Sequence, residues 1–268
     1  MKNMRINMFA KVTMTPILKN SLKVKVAPYL LSAASKIITL LAAPKIVKFP
    51  AIVLPAARAI HVTALVDEKP ESCKIGIDIA TNAIAEKMTS QIISGNDYAN
   101  GIKQAIMEAN KQILEYTIKN PDTEGMGTTV VCALVEKNNV YLASIGDSRA
   151  YVISGEEIRQ VTKDHSRVQE LIDAGQIKAE EAVSHPQKNI ITLAVGIYSD
   201  IEVDTMKLTL ADDEFLLLCC DGLTNEVDDD DIKQIVTELK EPQSACKKLV
   251  DLANEHGGKD NISVIIFG

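Results

Sequence analysis

A chain of 268 residues, 46% hydrophobic and 24% charged, is long enough to bury the core of one large domain or two small ones. Its formal net charge of −7 argues against a nucleic-acid-binding surface and suits a protein that handles cations. The five cysteines form no Cys-x-x-Cys pair and the four histidines no His-Glu-x-x-His, which excludes a zinc hydrolase; an odd number of thiols among apolar neighbours fits a reducing, cytoplasmic setting.

The first 66 residues hold ten Lys or Arg, five prolines and no Asp or Glu. Lys25, Pro28 and Lys36 break the apolar stretch from Val24 to Ala43, and Lys48, Pro50, Pro55 and Arg58 break the one from Ile46 to Val66. Neither supplies the unbroken run of roughly 18 apolar residues that a membrane span needs. From Glu68 the pattern changes. Ile75, Ile79, Ala83, Ile84 and Met88 recur at helical spacing, as do Ile102, Ala105, Ile106, Ala109, Ile113 and Leu114, so two amphipathic helices are predicted. Strands are predicted over Thr129–Glu136, Val140–Ile145, Ala150–Ile153 and Glu157–Val161, with hairpin turns at Asn138-Asn139 and Ser154-Gly155.

Helical spacing returns from Lys163 to Gln187, through Val168, Leu171, Ile172, Ile177 and Val183. Further strands are predicted over Ile190–Val195, Ile201–Leu208 and Phe215–Cys220. The four acids Asp228 to Asp231 precede Ile232, Ile235, Val236 and Leu239; they read as the cap and first turn of a helix, with a cation site as the alternative. A helix over Gln243–Glu255 and a strand over Ile262–Phe267 close the chain. Paired helices and meandering strands predict a layered α+β fold, not an alternating βαβ one.

The stretch Glu214 to Asn225, EFLLLCCDGLTN, is a strand pattern that stops at an Asp-Gly pair, so Asp221 sits where a buried strand meets a loop. Asp147 in SIGDSRAY and Asp260 in GGKDNIS occupy similar places, each with Gly or Ser nearby. Asp-Gly is also common turn punctuation. Separate carboxylates at strand ends suit Mg²⁺ or Mn²⁺, which take oxygen ligands and keep several waters. Spacing alone leaves open whether the three converge.

GDSRAY, TKDHS, His185-Pro186, CDGL and the closing GGKDNIS, preceded by Gly125-Met126-Gly127-Thr128-Thr129, form an ordered set. It resembles the metal-dependent (PPM-type, or type 2C) serine/threonine protein phosphatase family in its bacterial form, over Glu68 to Gly268. The resemblance implies a four-layer αββα sandwich, two antiparallel sheets flanked by helix pairs. It implies two Mg²⁺ or Mn²⁺ ions bound by Asp221 and Asp260, and a more weakly held third bound by Asp147 with Asp221. Lys163 to Gln187 would be a flap beside the active site. A metal-activated water would attack phosphorus in line, without a phosphoenzyme. Phosphorylated proteins would be the substrates and a serine/threonine kinase the opposing partner. Leu193 stands where the family often has Arg, which touches only contacts near the flap.

The family's opening motifs, an Arg near Asn-x-Asp and an Asp-Gly-x-Gly-Gly turn whose Asp bridges both metals, are not found in residues 1–66. Codons taken from the third base of each codon permit Val-Arg-Glu-Gly-Asn-Asn-Asp-Ser-Tyr-Phe over Met8 to Leu18. In the same frame His61 to Asp67 permits Cys-Asp-Gly-Ile-Gly-Gly. Residues 1–67 are therefore expected to be an atypical basic segment, out of frame or disordered, and 68–268 a phosphatase domain lacking its first strands. A genuine basic extension is the alternative. The chain as it stands is expected to be inactive or weak; a pseudophosphatase that binds phosphoproteins without turnover is the other reading.

Overall fold

The computed structural model describes residues 58–65, 70–94 and 97–268. Two four-stranded antiparallel sheets stack between helix pairs, in the four layers expected. The first sheet runs β1 (Arg58–Leu65), β2 (Thr129–Glu136), β3 (Asn139–Ile145) and β6 (Asp204–Thr209). The second runs β5 (Ile158–Gln160), β4 (Arg149–Ile153), β7 (Phe215–Cys219) and β8 (Val264–Phe267). On the outer face of the first lie α1 (Pro70–Ser94) and α2 (Tyr98–Lys119); α6 (Asp229–Leu239) and α7 (Pro242–Glu255) cover the second.

Strand β2 shows why the sandwich has this shape. Successive side chains of a strand point to opposite faces, and Val130, Cys132 and Leu134 pack under α1 and α2 while Val131, Ala133 and Val135 face the second sheet. There they meet Ala150, Val152, Leu216, Leu218 and Ile265. Alternate residues of β4 and β7, Tyr151, Ile153, Leu217 and Cys219, instead pack under α6 and α7. A near-continuous apolar run is what a strand covered on both faces requires. Each leucine-sized side chain so buried contributes about 1.5–3 kcal/mol.

Capping sets the helix starts. Asp97 accepts from Asn100 N–H, Ser166 from Gln169 N–H, and Asp228 from Asp231 N–H at 2.8 Å. The acidic run at Asp228 to Asp231 is thus the cap and first turn of α6. Among the described residues no helix is long and apolar enough to cross a membrane.

Several expectations shift. The β2–β3 hairpin turns on Lys137 and Asn138, one residue earlier than expected, with Lys137 at φ 57°. Ile190–Val195 is not a strand: Ile191 pairs only with Ser166, and Val195 only with Thr128, as isolated bridges. Apolar residues there pack sideways against helices, as Leu193 and Val195 do, and periodicity does not separate that from a strand. The strand over Ile201–Leu208 begins instead at Asp204 and lies at a sheet edge with most residues exposed. Arg58–Leu65, within the front segment expected to contribute no strand, pairs with β2 from Arg58↔Glu136 to Leu65↔Thr129. That stretch is free of proline and carries β-branched Ile60, Val62 and Thr63, which favour extended backbone. Residues 1–57 and 66–69, with the rest of the expectation about the front segment, lie outside the described residues.

Candidate metal centre

Asp221 follows the buried strand β7 and opens the short helix α5 (Asp221–Thr224). Its carboxylate accepts a hydrogen bond from Asn225 Nδ2 at 3.2 Å. Beside it runs the loop that carries Asp260. Cys220 Sγ donates to Asn261 O at 3.0 Å and accepts from Ser263 N–H at 3.1 Å, while Cys220 N–H donates to Ser263 O at 3.2 Å. Burial pushes the Cys220 thiol up to about 12, so it remains a neutral S–H donor. Gly222 lets the two loops touch: a Cβ there would lie 2.1 Å from Asn261 O. Lys259 pairs with the buried Glu226 carboxylate at 3.2 Å and braces the Asp260 loop from its other side.

Asp147 sits in the turn between β3 and β4. Gly146 makes that turn at φ 103°, and a Cβ there would lie 2.3 Å from Thr129 Cγ2. Burial, then the charges of Asp221 and Asp164, raise the Asp147 carboxyl to about 7. Burial and the charge of Asp260 raise Asp221 as well. Asp221 is thus coupled to Asp260 on one side and to Asp147 on the other, a pattern set by desolvation and like charge. Among the described residues Arg149 lowers both carboxyls, and its guanidinium is committed elsewhere. Nε and Nη2 form a fork on Asp164 at 2.6–3.0 Å, and Nη1 donates to Tyr151 Oη at 3.1 Å.

The structure therefore leaves Asp221 within electrostatic range of each of the other two acids. It does not gather all three around one point: among the described residues no group of three His, Cys, Asp or Glu side chains could hold an ion. The donor chemistry fits a hard divalent cation bound through one or two carboxylates and completed by water.

Arg149, Asp164 and His165 lie inside GDSRAY and TKDHS, and the motifs alone assign them no role. Their signal was charge placed in or beside an apolar strand, which a buried position tolerates only when paired. Gln160 Nε2 completes the network by donating to Asp164 at 2.8 Å. The expected flap is a closed excursion carrying α3 (Arg167–Asp173) and α4 (Ala179–Ala182). Its ends are joined where Arg167 N–H donates to Ile190 O and Thr192 N–H to His165 O, both at 2.8 Å.

The family model described as "Protein phosphatase 2C" matches residues 78–171 and 191–262, leaving out most of the flap. A "Serine/threonine phosphatase stp" of Listeria welshimeri is 38% identical over 182 residues, 68% of this chain and 72% of that one. The crystal structure of serine/threonine phosphatase Stp1 from Staphylococcus aureus superposes with TM-score 0.69 and 32% identity, over 79% of this chain and 83% of that one. The catalytic domain of the serine threonine protein phosphatase PstP, solved in complex with two manganese ions, gives TM-score 0.66 and 28% identity over 78% and 86% of the two chains.

Proposed function

The chain belongs to the protein phosphatase 2C family, and from that premise we propose that it hydrolyses phosphoserine and phosphothreonine in proteins with the help of Mg²⁺ or Mn²⁺. The observation that carries the reading is the row Asp147–Asp221–Asp260, in which burial and neighbouring carboxylates raise Asp147 and Asp221. Asp221 and Asp260 would hold the metal pair, and Asp147 with Asp221 a third, weaker ion. Such ions supply a low-pKa water and stabilise charge on phosphoryl oxygens. The Cys220–Asn261–Ser263 contacts would keep Asp221 and Asp260 in register, and the tied flap would border the substrate. The partners would be phosphorylated proteins and an opposing serine/threonine kinase. A cytoplasmic setting is supported by the free, buried Cys132, Cys219, Cys220 and Cys246.

The test is Mn²⁺-dependent release of phosphate from a phosphothreonine peptide. D221N abolishing that release supports the reading, and metal-independent release unaffected by D221N would remove it. A second reading, a pseudophosphatase that docks phosphoproteins without turnover, follows from the missing phosphate-binding Arg and bridging-Asp motifs in residues 1–66. It predicts phosphopeptide binding with no release. We further propose that a single-base insertion or deletion near codons 67 and 68 put the front segment in the wrong frame. Sequencing the DNA over codons 1–70 decides this: a corrected base restoring Asp-Gly-Ile-Gly-Gly makes the gene that of a complete phosphatase, and an unchanged sequence ends the idea.

A further inference from the structure

His165 joins four segments and belongs to none of the metal-binding positions. Its N–H donates to Gly146 O at 2.9 Å, and Gly146 N–H donates back to His165 Nδ1 at 3.1 Å. Its carbonyl accepts from Thr192 N–H at 2.8 Å, at the closing end of the flap. On the far side of the ring, Nε2 lies 3.2 Å from Asp204 Oδ2, on the first residue of β6. The imidazole is mostly covered, at 15% side-chain exposure, whereas Asp204 is open at 49%.

These contacts fix the state of the ring. Gly146 N–H is a donor, so Nδ1 must present its lone pair, and the ring proton sits on Nε2 and donates to Asp204. Were Nδ1 protonated, two N–H groups would face each other and the Gly146 amide would lose its partner. Gly146 cannot compensate by shifting, because its turn already lies against Thr129.

We propose that His165, held as the Nε2–H tautomer by Asp204, is a positioning residue for Asp147: it sets the turn at Gly146 and thereby aims the neighbouring carboxylate. The inference rests on the reading of Asp147 as a metal ligand, and makes β6 and the flap hinge part of that ion's support. Hydrogen-bonding partners behind a ligand are worth about 10–100-fold in metal affinity.

Two measurements on the full chain test it. In the metal-free protein, a long-range proton–nitrogen correlation spectrum of the histidine rings should place the His165 proton on Nε2. The Nδ1–H form overturns the proposal, and this result needs no variant. Next, Mn²⁺ is titrated by electron paramagnetic resonance into the wild type, D147N, H165A and H165N. D147N should remove the weaker Mn²⁺ step. H165A should weaken that same step about tenfold, and H165N, whose Oδ1 replaces Nδ1 as acceptor, should restore it to within about threefold. An H165A protein that melts earlier but titrates like the wild type has lost only structure, and overturns the proposal. Equal losses in H165A and H165N do the same. An unchanged titration in D147N removes the reading of Asp147 itself, and the role of His165 falls with it.

Discussion

Asp147 shows how a single carboxyl can act on the whole molecule. Its folded-state pKa of about 7 lies above the ordinary 3.8. Below about pH 4 both folded and unfolded states hold the proton, so the shift contributes nothing. Between about 4 and 7 the folded state keeps a proton that the unfolded chain has released, so stability falls as pH rises. The loss is on the order of 2–4 kcal/mol, and Asp221, raised in the same direction, adds to it. Urea denaturation of metal-free protein should show stability declining from about pH 4.5 towards about pH 8. D147N should flatten that slope and be more stable than the wild type at the alkaline end. A wild-type stability that rises across this range would contradict the burial argument.

At the scale of elements, two junctions decide where the acids point. Gly222 lies in the first turn of α5, where alanine would gain up to about 1 kcal/mol in helix propensity. Its Cβ, however, would lie 2.1 Å from Asn261 O, a backbone atom that cannot swing aside. The clash wins, and G222A should lose about 1–3 kcal/mol, read as a lower thermal midpoint, and weaken Mn²⁺ binding by displacing the Asp260 loop. The second junction is the Arg149–Asp164 fork between β4 and the start of the flap, with side chains only 30% and 9% exposed. R149A leaves Asp164 charged, with its cation gone and Gln160 as its remaining side-chain donor, which costs about 3–5 kcal/mol. Because removing both charges spares that penalty, R149A/D164A should be more stable than the sum of the single variants predicts, a coupling measurable by a double-mutant cycle.

For the whole molecule, the acids divide between two layers. Asp147 ends a strand of the first sheet and leads into the second, while Asp221 and Asp260 flank β7 and β8 of the second. A cation held between them binds the folded chain and not the unfolded one. Mn²⁺ at about 100 times its dissociation constant should therefore add about 2.7 kcal/mol of stability. Differential scanning fluorimetry should show the midpoint rising with Mn²⁺ and returning with a chelator, and D221N should abolish the rise. A D221N protein that still responds fully would place the ion elsewhere.

Periodicity alone determined the two helix pairs, the central strands β2, β3, β4 and β7, and the acidic cap of α6. Those elements are either long or buried on both faces, so their patterns are unbroken. It also indicated that Asp147, Asp221 and Asp260 stand at strand ends, since an apolar run stops just before Asp147 and Asp221 and starts just after Asp260. Tertiary structure alone decided which acids meet, because like-charge coupling depends on how two loops from distant parts of the chain pack, as Gly222 does against Asn261. It decided that Ile190–Val195 closes the flap and forms no strand, and that Arg58–Leu65 pairs with β2. Apolar residues in short segments serve a helix-facing loop as readily as a sheet, and only the neighbour they find settles which.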